Sequence, residues 1–382
     1  LLTLDLSGNS LTGKLPSDIG DLNKLVHLDL SDNQLEGKIP LSIGLMGNLI
    51  DLDLSSNSFF GELPVTFAGL FSLKRLIVDN NNFSGYIYDI VFNELDGLDT
   101  LKLEQNSFEG KVPAAIGNMR SLRYLSFSDN NFSGSIPVEL GQLDTLQELY
   151  GQNNSLTGVI PAEFSGLLGV KMVDFSNNGL TGSLATFAGL DSLLYLNAAQ
   201  NGFDDLSNFT TSNVDSVRVT NNYLDFADYE LNNALINAGS LFISPQDSLF
   251  EREDNLYESG VTVVIEYEIG GSSNSYQWYL DGDPIAPANN VLVTGSQVVI
   301  SAADTPNEGE YVLATTNTNY PGVTLYTRPF NVKVSTLERD KRALLSFLNA
   351  TNNGDFPYNP AGWVDDGSDI TSDWEGITGA NN

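Results

Sequence analysis

Apolar residues recur in a fixed frame through the first half of this chain, seen plainly at Leu25, Leu28, Leu30, Leu35, Ile39 and Ile43. Leu28 and Leu30 flank a polar residue, the two-residue alternation of a short strand with one buried face. Asn33 and Gly37 follow, where the chain must turn and start back. The frame then returns. Asn9, Asn33, Asn57 and Asn81 are each 24 residues apart, Asn106 comes after 25, and Asn130, Asn154 and Asn178 resume at 24. Asn201 and Asn222 continue at 23 and 21. A unit of this size cannot bury its own leucines, so neighbouring units must stack and share one core, which makes a solenoid. About ten strands at roughly 4.8 Å each give a strip on the order of 45 Å long. The asparagine falls where the strand ends, and its amide can donate to and accept from backbone groups that the turn leaves unpaired.

A second element punctuates the units: Gly37 to Pro40, Gly134 to Pro137 and Gly158 to Pro161 read G-x-I-P, with variants at Gly13 to Pro16, Gly61 to Pro64 and Gly110 to Pro113. Repeat four carries Gly85-Tyr86-Ile87-Tyr88 instead, together with the one-residue insertion. It is either an irregular site or drift, and drift is the simpler account. Residues 1–222, with L-x-x-L-x-L-x-x-N-x-L and this insertion, resemble the plant-type leucine-rich repeat. The resemblance implies a second short strand near the proline, short 3-10 or helical return segments, and a twisted solenoid.

After Asn222 the repeats lapse. Residues 223–243, in which Tyr223, Phe226 and Tyr229 mix with Asp225, Asp228 and Glu230, read as a closing cap over the last row of leucines. Ser244 to Asp247 reads as a linker, and over 244–335 the period becomes two: Val263, Ile265, Tyr267 and Ile269 alternate with Thr262, Val264, Glu266 and Glu268. Several short strands separated by turn residues suggest a β-sandwich. It resembles an immunoglobulin-like domain, with Trp278 in the core tryptophan place, Tyr311 at a tyrosine corner, and Leu313 where that family has its second cysteine. Residues 336–382, with an amphipathic helix expected over Leu337 to Leu348 and then Trp363 and Trp374, resemble the small helical amino-terminal cap of a following plant-type repeat array, without its cysteine pair.

Charge and rare residues narrow the function. Lys and Arg number 17 against 49 Asp and Glu, a net charge of −32. That disfavours nucleic acid, whose phosphates need clustered cations, and suits cations, basic proteins or neutral glycans. With no cysteine there is no disulfide or thiolate metal site, and His27 is the only histidine, so Ser-His-Asp and histidine-zinc chemistry lack candidates. The glycines are periodic turn residues rather than a nucleotide-binding loop. The chain therefore reads as no enzyme. No apolar run is long enough for a membrane span.

Residues alternating with the strand leucines face the concave side. Early repeats place Asp5, Asp29, Asp51 and Asp53 there, carboxylates whose mutual repulsion Ca²⁺ would relieve; the pattern is also ordinary for this repeat type. Otherwise no cofactor is expected. Later repeats offer Tyr124, Glu148, Tyr150, Met172, Tyr195 and Asn197, with the tyrosines and Met172 forming an aromatic stripe suited to a glycan or peptide, or simply filling the curved face. At the first repeat, Leu1, Leu4, Leu6 and Leu11 present an open apolar edge that a cap of the type containing Trp363 and Trp374 would cover, in cis or in trans. The expectation is a head-to-tail homopolymer or a longer tandem chain. The module order resembles large secreted surface proteins of Bacteroidetes. It implies a non-enzymatic extracellular or cell-surface protein for adhesion or filament building, with protein partners or identical subunits. The alternative is a receptor ectodomain that binds glycan or peptide on its concave face.

Overall fold

The computed structural model describes residues 1–209, 213–288 and 290–335. It divides into two compact units, Leu1–Asp247 with Gly270–Ser272, and Ser248–Ile269 with the residues from Ser273 onward.

In the first unit, one short strand from each repeat joins a single parallel sheet of eleven strands, in chain order from Thr3–Asp5 to Leu241–Phe242. The central apolar residues stand in register: Leu28, Leu52, Leu76, Leu101, Leu125, Leu149, Val173, Leu196 and Val217. All are essentially removed from water. A second parallel sheet of nine strands, from Thr12–Lys14 to Gly202–Asp205, forms beyond each asparagine turn. Its inward residues include Phe59, Phe83, Phe108 and Phe132, whose rings stack at 6.2, 6.0 and 6.2 Å.

Return segments are single 3-10 turns, such as Leu41–Leu45, Val65–Gly69 and Ala114–Asn118, each preceded by a proline with φ near −60° and ψ near 130° to 140°. The proline ring fixes that φ, and its carbonyl accepts the first turn bond, as in Ile43 N–H to Pro40 at 3.1 Å. The turns pack backbone to backbone: a Cβ on Gly44 would lie 2.2 Å from the Thr66 carbonyl oxygen. Proline is absent at Tyr88, where the turn Asp89–Val91 is still 3-10, and at Ala185, which begins an α-helical turn, Ala185–Ala188.

The asparagines stitch the stack. Asn130 Oδ1 accepts the Phe108 amide of the preceding repeat at 2.9 Å, while its Nδ2 donates to Leu103 at 3.0 Å and to Phe127 and Ser128 of its own turn. Asn33, Asn57, Asn81, Asn106, Asn154, Asn178, Asn201 and Asn222 repeat this pattern. Asn9, in the first repeat, reaches only Leu6 and Ser7 of its own turn.

Residues 223–243 form two short helices, Phe226–Leu231 and Asn233–Ala238, and then a strand, Leu241–Phe242, that pairs in parallel with Ser216–Arg218. The first sheet thus runs on past the last asparagine, into the stretch expected to serve only as a cover. Asp225 caps the first helix, and Asp228 returns the bond to the Asp225 amide at 3.0 Å. At the opposite edge Leu1, Leu6 and Leu11 are exposed and Leu4 is half-buried. Trp363, Trp374 and the whole expected cap at 336–382 lie outside the described residues.

The second unit has two sheets. Glu253–Glu258, Phe330–Ser335, Gly309–Asn317, Asn274–Leu280 and Asp283–Pro284 form one with Thr324–Tyr326; Val263–Glu266, Gln297–Ile300 and Val291–Thr294 form the other. Glu253–Glu258 runs parallel to Phe330–Ser335, and the remaining pairs are antiparallel. Trp278 is fully buried, stacked on Tyr267 at 5.8 Å, with Nε1 donating to the Gly295 carbonyl at 3.2 Å. The Tyr311 hydroxyl donates to the Asn307 carbonyl at 2.9 Å, and Leu313 is buried beside them.

Candidate functional site

Because the strand leucines point inward, the residues on either side of them form two parallel rows on the solvent face of the first sheet. One row runs Thr100, Tyr124, Glu148, Met172, Tyr195, Ser216. The other runs Lys102, Ser126, Tyr150, Asp174, Asn197, Arg218, Phe242. Tyr124, Glu148, Tyr150, Met172, Tyr195 and Asn197 are all half-buried on this face, as their place in the frame requires.

Contacts join them into a surface. Tyr124 and Tyr150 lie diagonally across adjacent strands with ring centroids 5.5 Å apart and a 47° tilt. Lys102 Nζ sits 5.0 Å from the Tyr124 centroid, a cation over the ring face. The Tyr150 hydroxyl donates to Glu148 at 2.9 Å. Asn197 Nδ2 donates to Asp174 at 2.9 Å and to the Ser176 hydroxyl at 3.2 Å. Tyr195 lies two strands beyond Glu148, past Met172, so the expected stripe is a tyrosine pair followed by a methionine and a separate tyrosine.

Burial sets the protonation of this face. It pushes the Tyr124 phenol up to about 12, with Glu104 and Glu148 adding to the rise. Tyr150 is pushed up by burial and then by its bond to Glu148, and Tyr195 rises for the same first reason. The phenols therefore stay protonated donors at neutral pH. Burial also raises the carboxyls of Asp79 and Glu104.

The early repeats are arranged differently. Asp5, Asp29 and Asp53 each accept from the backbone N–H and hydroxyl of the serine two residues on, at 2.6 to 3.0 Å. Those serine bonds hold the Asp5 carboxyl below the usual range, whereas burial outweighs them and raises Asp53. Asp51 pairs with Arg75 at 3.2 Å, and His27 is 3.7 Å away. These residues line a cleft of about 190 Å³. The four aspartates expected as a calcium column are thus engaged by protein donors, and among the described residues no three acidic or imidazole groups converge on one point.

Arg218 and Phe242 join this face beyond the residues that the sequence singles out. The guanidinium lies 4.5 Å from the Phe242 ring centroid and extends the face by two strands. The signal for Arg218 was its place in the strand Ser216–Arg218, in frame with Asn197. Phe242 had no such signal, because its strand follows two helices rather than an asparagine turn.

The Leucine Rich Repeat family profile matches residues 1–22, 24–46, 48–70 and 121–143. The first unit is built of leucine-rich repeats. The chain is similar to the plant peptide hormone receptor RGFR1, solved in complex with RGF2. Identity is 28% and the TM-score 0.59, over 68% of this chain and 43% of the receptor. It is similar also to the ectodomain of the membrane receptor kinase GASSHO1/SCHENGEN3 from Arabidopsis thaliana, in complex with CASPARIAN STRIP INTEGRITY FACTOR 2. There identity is 28% and the TM-score 0.53, over 66% and 36%. A plant ice-binding protein is 27% identical with a TM-score of 0.52, over 64% of this chain and 81% of its own. The chain spans less than half the length of either receptor structure. None of the curated proteins matches it. Among the described residues no helix is long and apolar enough to cross a membrane.

Proposed function

We propose that the first unit is an extracellular ligand-binding module that receives an extended peptide along the rows from Lys102 to Arg218. The observation that carries this reading is the Tyr124–Tyr150 pair, held by Lys102 and Glu148 and continued by Asp174 and Asn197 on the next strands. Rigid, half-buried tyrosines supply contact area at low entropic cost, and the polar groups beside them can pair with a peptide backbone. Support comes from the two plant receptors, whose structures hold RGF2 and CASPARIAN STRIP INTEGRITY FACTOR 2. That likeness favours peptide binding over the adhesion or filament role expected from module order. The second unit we read as an immunoglobulin-like spacer. Support for that comes from buried Trp278 and the Tyr311 hydroxyl bonded to the backbone four residues upstream.

Selection of a displayed random peptide library on the whole chain tests the reading. Selected peptides should lose about tenfold or more in affinity on Tyr150→Ala or Asp174→Ala. Binders indifferent to both changes, or a glycan array that binds where no peptide does, would overturn it.

A further inference from the structure

The fourth repeat departs from its neighbours at one place, and the departure builds a groove. In the surrounding repeats the residue after the turn glycine is Lys38, Glu62, Lys111 or Ser135, and a proline stands two further on, at Pro40, Pro64, Pro113 and Pro137. Repeat four has Tyr86 and Tyr88. Both rings are about half exposed, at 52%, with centroids 6.4 Å apart. The Cδ1–Cε1 edge of the Tyr86 ring rests against Gly110: a Cβ there would come within 2.4 Å of it, so a glycine at that place leaves room for the ring. The two tyrosines rise at one end of a cleft of about 610 Å³ whose floor includes Val112, Pro113 and Pro137. It lies at the exit of the second sheet, away from the concave rows.

We infer that this groove binds a proline-rich, basic peptide segment in the polyproline II conformation. Aromatic-lined grooves suit that conformation because it is extended and already ordered. Its carbonyls are unpaired, and prolines bring no N–H, so the groove must mainly donate; the Tyr86 and Tyr88 hydroxyls and the Lys111 ammonium do so. The lining also holds two carboxylates, Asp89, which accepts the Ala115 amide at 3.0 Å, and Glu139, which suit basic residues flanking the prolines. The chain's net charge of −32 draws basic flanking residues and repels acidic ones.

The test is fluorescence anisotropy of a labelled ten-proline peptide with an arginine at each end, titrated with the whole chain. Tyr86→Lys with Tyr88→Pro restores the residue types of the adjacent repeats, so the variant should melt with the wild type by circular dichroism. It should bind at least about tenfold more weakly, whereas Tyr150→Ala on the concave face should bind as the wild type does. No binding by the wild type, equal binding by the double variant, loss of binding on Tyr150→Ala, or displacement of the peptide by cellohexaose would each overturn the inference.

Discussion

Asn130 accepts the backbone amide of Phe108 at 2.9 Å across the boundary between two repeats, in surroundings where neither group meets water. The same side chain donates to Leu103 of the earlier repeat and to two carbonyls of its own turn. One amide therefore closes a turn and joins it to its neighbour.

Asn130→Ala should destabilise the array by about 2–4 kcal/mol, because it leaves the Phe108 amide and several carbonyls unpaired in the interior. Asn9→Ala, whose amide is exposed and serves only its own turn, should cost roughly 1 kcal/mol or less. Urea unfolding followed by circular dichroism compares the two, and equal losses would contradict the stitching role.

Phe108 stacks between Phe83 and Phe132 at 6.0 and 6.2 Å and is fully buried. Phe108→Ala should cost about 3–5 kcal/mol, and Phe108→Leu, the residue type that Leu35 and Leu156 supply in the same frame, under about 1.5 kcal/mol. A thermal melt of each variant distinguishes them.

Asp228 carries a pH dependence. Burial pushes its carboxyl up to about 6 from 3.8, although the Leu206 and Asp225 amides both donate to it. A raised folded value means the native state holds the proton more tightly than the unfolded chain does. Its contribution is therefore fully present below about 4 and is lost as pH rises through about 6. The gain from pH 7 to pH 4 is on the order of 2 kcal/mol. Asp228→Asn should flatten that part of the stability profile, read as the difference between variant and wild-type melts at pH 4, 6 and 7.5. An unchanged difference across the three pH values would refute this.

In the second unit, Tyr311→Phe removes the hydroxyl that donates to the buried Asn307 carbonyl. About 1–2 kcal/mol should be lost, while the ring keeps its packing. Denaturant titration that shows no shift in midpoint would remove the tyrosine from any structural role beyond its ring.

Much of the candidate site was legible because a strand's side chains alternate strictly. Once Leu125 and Leu149 were assigned inward, Tyr124, Glu148 and Tyr150 had to face the solvent side, and they do. Their partners were not legible. The diagonal approach of Tyr124 to Tyr150, the placement of Lys102 over a ring, and the engagement of Asp51 by Arg75 depend on inter-strand register and rotamers. Alternation alone placed the early aspartates on this face, and it gave no sign of the serine bonds that Asp29 and Asp53 accept within their own turns.

The sequence by itself determined the repeat, its inward leucines, the turn asparagines and the proline-led returns, because each is a local requirement that recurs with the same spacing. Tertiary structure alone decided where the sheet ends and what meets across strands. Leu241–Phe242 joins the sheet because the preceding helices return the chain to its open edge, and the Tyr86 ring rests its edge against Gly110 of the next repeat. Both depend on neighbours a full repeat away, whose contacts no residue spacing records.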